Sequence, residues 1–199
     1  IKRVIKNHKR IIFNGNGYSK EWEAEAAQRG LSNLNNTPKS LSAYLDQKYI
    51  DLVTKHGIYT ETEYRARHEI HLEAYCKIIN IEARTSIDMM LHQILPAAMA
   101  YVKDLCSGIL SKKQLGLPCT AETNLASKLS EATDSCYAKC DQLRAALQSV
   151  PKCSEEASVY YHDVIVAGME SLRKDADILE ELTDKSYWPY PTYSDLLYY

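Results

Sequence analysis

Apolar residues recur in steps of three and four along most of this chain, and the steps predict three long helices. The first opens at Thr60-Glu61-Thr62-Glu63, a capping box in which the Thr60 hydroxyl takes an orphan amide and Glu63 reaches back. It is expected over residues 61 to about 110, with Ile87, Leu91, Ile94, Ala98, Tyr101, Leu105 and Gly108/Ile109 forming a seam toward partner helices. Pro96 falls inside that seam; it lacks a ladder donor and predicts a kink or local break. A loop over 111–120, with Gly116 and Pro118, leads to a second helix over about 121–149. Its face is Leu125, Leu129, Ala132, Cys136, Cys140, Leu143, Leu147 and Val150, and Pro151 ends it. Ser154 should cap the third, whose apolar face reads Tyr160/Tyr161, Val164, Gly168, Leu172, Leu179 and Leu182.

Short joins between long amphipathic helices predict an all-α fold, an up-down-up bundle of three antiparallel helices. The first 59 residues carry a different pattern. A basic helical end (Ile1-Lys2-Arg3-Val4-Ile5-Lys6) comes first, and only residues 9–14 could be extended. Ser19 can cap a helix over about 20–29 that Gly30 ends, and an Asn-rich linker fills 31–36. Thr37-Pro38 then reads as an N-cap with a first-turn proline, opening a helical stretch, broken or continuous, to His56, with Gly57 closing it. Short helices thus precede the bundle, and an aromatic tail follows it. Pro189 and Pro191 hold that tail extended, with Tyr187, Trp188, Tyr190, Tyr193, Tyr198 and Tyr199 crowding its end. A free segment with so much aromatic surface would be sticky, so docking on its own chain is favoured over a subunit contact.

Composition narrows the classes. With 24 Lys+Arg against 26 Asp+Glu, the net charge of −2 offers no basic excess for nucleic acid or an anionic membrane. No apolar run approaches the roughly 20 residues that cross a bilayer. No signal peptide is read at the start, and an initial Ile rather than Met suits an internal fragment. Six scattered cysteines, none in C-x-x-C pairs, read as reduced thiols of a cytoplasmic protein. Fifteen tyrosines against one Phe suit faces that are only partly dry, since Tyr keeps a hydroxyl available while burying its ring.

Candidate chemistry is sparse. His68-Glu69-Ile70-His71 has histidines at i and i+3 rather than the i and i+4 of zinc-protease helices, and only Glu73 could be a third ligand. A small metalloenzyme on His68, His71 and Glu73 is therefore a remote reading, and a helix-surface or interface role is preferred. Cys136 and Cys140 share a face without a second ligand pair and read as core thiols. Gly15-Asn16-Gly17 lacks the third glycine of a dinucleotide fingerprint and the Gly-Lys-Ser/Thr of a P-loop, so it reads as a tight turn. Ser19 has no base near it in sequence and is not indicated as a nucleophile. No catalytic, cofactor-binding or metal residue is assigned.

Ordered stretches carry a family signal: residues 8–19 (His-Lys-Arg-Ile-Ile-Phe-Asn-Gly-Asn-Gly-Tyr-Ser), Arg29-Gly30-Leu31-Ser32-Asn33-Leu34, and residues 55–63. Ile79-Asn80-Ile81-Glu82-Ala83 and the end Tyr187-Trp188-Pro189-Tyr190-Pro191-Thr192-Tyr193 complete it. Together they resemble the C-terminal part of type III glutamine synthetases over nearly the whole chain. Ser194 stands where that family usually has Gly, and Tyr198 where it commonly has Phe. The resemblance implies a parent enzyme that joins ammonia to glutamate with ATP and divalent Mg or Mn, through a γ-glutamyl phosphate. It implies partners too: the rest of the synthetase chain and identical subunits in stacked hexameric rings. By resemblance, residues 1–75 look like the helical end of the catalytic domain, and 76–199 like the type III-specific helical extension with its docked tail. None of the family's metal- or phosphate-binding motifs is recognisable, so the chain is expected to be inactive alone. The competing expectation is an independent helical module that recruits a regulator of nitrogen metabolism.

Overall fold

The computed structural model describes residues 1–197. The expectations for Tyr198 and Tyr199 lie outside the described residues, as does anything concerning the side chain of Tyr193. All regular elements among the described residues are helical, and they fall into two compact units, Ile1–Glu61 and Thr62–Tyr199.

The first unit is assembled from local signals. It holds α1 (Lys2–Asn7), a 3-10 turn (Lys9–Ile11), α2 (Lys20–Gln28), α3 (Thr37–Tyr44) and α4 (Gln47–Lys55). The 3-10 turn occupies half of the stretch that the sequence allowed to be extended. Ser19 caps α2 by accepting from the Trp22 amide at 3.3 Å, and Gly30 ends it with φ of 67°. The cap of α3 is Asn36, one residue before the expected Thr37. Its side chain takes the Lys39 amide at 2.9 Å, so Thr37 and Pro38 fall in the first turn. Two helices, α3 and α4, fill the stretch to His56, and Gly57 follows with φ of 62°.

Residues Glu61–Gln114, all but the first in the second unit, run as one 54-residue helix made of α5 (Glu61–Met89), a π segment π1 (Met90–Ile94) and α6 (Leu95–Gln114). Pro96 does not break it. The helix widens just before the proline, where the Leu95 amide donates to the Met90 carbonyl five residues back. A wide turn there relieves the crowding that a proline ring imposes on the preceding turn. By length and composition this helix is apolar enough to cross a membrane, contrary to the expectation that no run approaches that length. Met90, Ile94, Leu95 and Ala98, however, are buried in the protein's own core.

Helix α7 (Thr120–Gln148) follows, then α8 (Ser154–Tyr160), a second π segment π2 (Tyr161–Val166) and α9 (Ala167–Leu182). Cys153, not Ser154, takes the cap position of α8. Contacts between α7 and the last long helix run in opposite sequence order. Ser135 donates to Asp175 at 2.6 Å, Lys139 pairs with Asp175 at 2.7 Å and donates to the Ser171 carbonyl at 3.1 Å, and Tyr160 donates to the Ala146 carbonyl at 3.1 Å. The two helices are therefore antiparallel. Between them, Gly168 leaves room for Leu143, whose Cδ1 would lie 3.1 Å from an added Cβ.

One core runs through this unit, from Ala83, Ile87 and Met90 across Leu129, Cys136 and Cys140 to Ile165, Leu172 and Leu179. Strict three-and-four spacing misplaces one of its members: Val164 is 40% exposed, and Ile165, fully buried, takes its place. A π turn inserts one extra residue and shifts the local register. Around π1, Met90 and Leu95 are also buried, and the predicted seam omitted both.

The tail leaves α9 through a turn at Lys185–Tyr187, and Trp188 and Tyr190 pack against the core. Tyr187 donates to Asp104 and its ring lies 5.2 Å from that of Tyr101. The last five described residues coil into α10 (Tyr193–Leu197), an element that the proline content did not suggest. Its signal was legible, because Thr192 and Asp195 form a reciprocal cap. The Asp195 carboxylate accepts from the Thr192 amide at 3.0 Å, and the Asp195 amide donates back to Thr192 Oγ1 at 3.4 Å.

Candidate functional site

The residues singled out for chemistry do not converge. His68 is buried at 4% exposure, His71 is exposed, and the Glu73 carboxylate is taken by Lys77 at 2.8 Å one turn on. That ion pair holds the Glu73 carboxyl below its ordinary value. Among the described residues, no group of three or more His, Cys, Asp or Glu side chains is placed to hold a metal ion. The described residues thus show no ligand set that fits the Mg or Mn that the resemblance implies for a parent enzyme.

Cys136 and Cys140 lie at the centre of the core with free thiols. Burial pushes the first up to about 12, aided by the Asp175 carboxylate, and burial pushes the second up to about 11. Both thiols stay protonated near neutral pH, as inert core cysteines do. In the first unit, Asn16 Oδ1 accepts from the Tyr18 amide at 3.0 Å, closing a turn. Phe13 lies so close over Gly15 that an added Cβ would fall 2.5 Å from its ring. Phe13 stacks on Trp22 at 4.3 Å, and Arg29 donates to the Ile12 carbonyl at 2.8 Å and to the Arg10 carbonyl at 3.1 Å. Glycine is needed here for packing, and the stretch is an aromatic-braced turn.

A concave feature arises where the tail crosses the bundle. A cleft of about 390 Å³ lies between α5–π1 and α9, walled by Met89, Met90, Met169 and Leu172 and covered by Trp188 and Tyr190. Arg173, Asp177 and Glu180 stand at its edge, with Arg173 Nε 2.5 Å from Asp177. Sequence reading marked the aromatic cover but not the methionines of the wall. Those sit off the predicted seam and are brought to the wall by packing against the tail.

These observations define an all-helical domain whose polar side chains cap helices, bridge α7 to α9 and anchor a tail. Comparison with known proteins supplies the family. The model of the glutamine synthetase C-terminal domain matches residues 1–113, and the chain belongs to that family. It is 37% identical over 202 residues to a glutamine synthetase of Butyrivibrio fibrisolvens, covering 100% of this chain and 29% of that protein. It is similar to the type-3 glutamine synthetase of Dictyostelium discoideum, at 31% over 207 residues, covering 100% of this chain and 28% of that protein. A glutamine synthetase of Bacteroides fragilis (strain YCH46) is 30% identical over 196 residues, 94% of this chain and 27% of that protein. The chain thus spans less than a third of the length of the curated relatives it matches.

Proposed function

We propose that this chain is the C-terminal helical part of a type III glutamine synthetase, structural and assembly-related, and inactive alone. Whole-length similarity to a type-3 enzyme carries this reading. In it, residues 1–75 close the catalytic domain and 76–199 form the type III-specific bundle. The parent, a cytoplasmic enzyme, ligates ammonia to glutamate using ATP and Mg or Mn bound elsewhere in the chain. Free cysteines fit a reducing compartment.

An assembly role has a surface to work with. Ile70, Ile78 and Ile81 are 61%, 54% and 62% exposed, and their spacing puts them on one face of α5 with Ala74 between. Apolar side chains clustered on one helix face mark a contact surface. The rest of the synthetase chain or identical subunits, stacked as hexameric rings, would cover it.

The test has two parts. This chain alone, assayed for ligase and γ-glutamyl transfer activity across Mg²⁺ and Mn²⁺ concentrations, should show no turnover; measurable turnover in a clean preparation overturns the reading. In the full-length enzyme, replacing Ile70, Ile78 and Ile81 together by Ser should lower the mass measured by light scattering. An unchanged mass would remove this face from the assembly contacts.

A further inference from the structure

Buried polar side chains normally have partners, because an orphan forfeits the hydrogen bonds that water would give it. Among the described residues, three enclosed side-chain atoms have none, and all three lie within residues 183–190: Thr183 Oγ1, Trp188 Nε1 and Tyr190 Oη. Thr183 is where α9 ends and the backbone turns extended, at φ −82° and ψ 134°. Trp188 and Tyr190 are only half-buried as residues, yet the part that is fully enclosed is the polar atom. Amphipathic aromatics ordinarily sit the other way round, ring inside and polar end wet or paired. The docked tail is therefore well packed through its rings and unsatisfied at its polar ends.

The bonds that shape the tail join its residues to one another. Lys185 pairs with Asp195, Thr192 and Asp195 cap each other, and the Asp184 carboxylate accepts from the Ser186 amide at 2.8 Å. None of these need break if the tail lifts as a whole. Tyr187 crosses to the bundle and donates to Asp104 on α6, but Asp104 is exposed, so water can replace that bond. Lifting also gives the Trp188 N–H and the Tyr190 O–H water partners, and each gain favours release by about fivefold or more. We propose that residues 184–197 form a releasable strap hinged after Thr183, which lifts and re-docks as one unit while the bundle stays folded. Closed, it covers the apolar wall of Met89, Met169 and Leu172; open, it bares that wall. Such a sub-global opening is a cooperative unit of its own, at the low end of the molecule's local stabilities.

The Trp188 indole N–H reports the opening directly. It has no hydrogen bond, so enclosure alone protects it, and its exchange with deuterium is followed by NMR of this chain labelled with nitrogen-15. Leu129→Ala, which weakens the bundle core, should speed exchange of the α7 amides and leave the Trp188 rate unchanged. Two substitutions of one kind, three residues apart, should then act with opposite signs. Tyr190→Phe removes an unpaired hydroxyl and should slow Trp188 exchange about fivefold. Tyr187→Phe removes the bond to Asp104 and should speed it about twofold to tenfold. Both keep the ring and leave the bundle core untouched. Exchange that Tyr190→Phe leaves unchanged or makes faster overturns the proposal, since the hydroxyl would then not oppose docking. A Trp188 rate that rises in step with the α7 amides in Leu129→Ala overturns it too, because the tail would open only with the bundle. So does a rate that changes with protein concentration as the mass doubles, which would assign the opening to tail exchange between two copies.

Discussion

The stretches Ile1–Glu61 and Thr62–Tyr199 use helices in opposite ways. In the first, each helix is short and carries its own stop and start: Ser19 and Asn36 at the front, Gly30 and Gly57 at the back. Only Ala26, Pro38 and Ile50 are buried. In the second, the helices are long, and burial is continuous from Ala83 to Leu179. Short helices are marginal unless something outside them helps, and caps contribute about 1 kcal/mol each. A seam of buried Leu, Ile and Cys side chains contributes far more, so cooperative stability should reside in the bundle.

The sharpest way to break this contrast is a truncation at the bundle's centre. Leu129 is fully buried, and Leu129→Ala should cost about 2–5 kcal/mol, read from denaturant unfolding. A loss below about 1 kcal/mol would mean that the core does not carry the unit. Gly168→Val comes next. Its side chain would enter the space that Leu143 occupies, and overpacking of this kind costs about 1–3 kcal/mol. Gly168→Ala should cost less, since one methyl needs only a few tenths of an ångström of yield.

Local signals should matter less and only nearby. Ser19→Ala should cost about 1 kcal/mol in the first unit, read by hydrogen exchange at the Trp22 amide, and leave exchange in α7 unchanged. Faster exchange throughout the bundle would show that the two stretches unfold together.

The smallest effect concerns the tail. Its anchor, the Asp195 carboxyl, is held at about 2, below the ordinary 3.8, first by the Lys185 ammonium and then by the Thr192 amide and hydroxyl. A carboxylate with a depressed folded pKa stabilises fully above its ordinary value, and the effect is lost as pH falls through the folded one. Asp195→Asn should therefore lower the melting temperature slightly near neutral pH, and the gap from the parent chain should close as pH falls from about 4 to about 2. A gap that is constant across that window would mean that the Lys185 pair contributes nothing to docking.

The all-α class, the positions of the long helices and most caps were legible in the sequence, because capping and amphipathic spacing act within a few residues. The family was legible in the ordered motifs. The turn reading of Gly15-Asn16-Gly17 needed nothing beyond local chemistry, although Phe13 over Gly15 adds a packing reason that spacing cannot supply. His68 and His71 share a helix by spacing alone. That one is buried and the other exposed is a property of what surrounds the helix.

Sequence by itself thus determined where helices start and stop, which residues are soft, aromatic or charged, and which family the chain resembles. Tertiary structure alone decided which residues near the two π turns are buried: Ile165 rather than Val164, and Met90 beside Ile87 and Ile94. It also decided that the aromatic tail lies across α5–π1 and α9 and encloses a cleft. Contacts such as Tyr187 with Asp104 join residues 83 apart in sequence, and such distances leave no trace in periodicity.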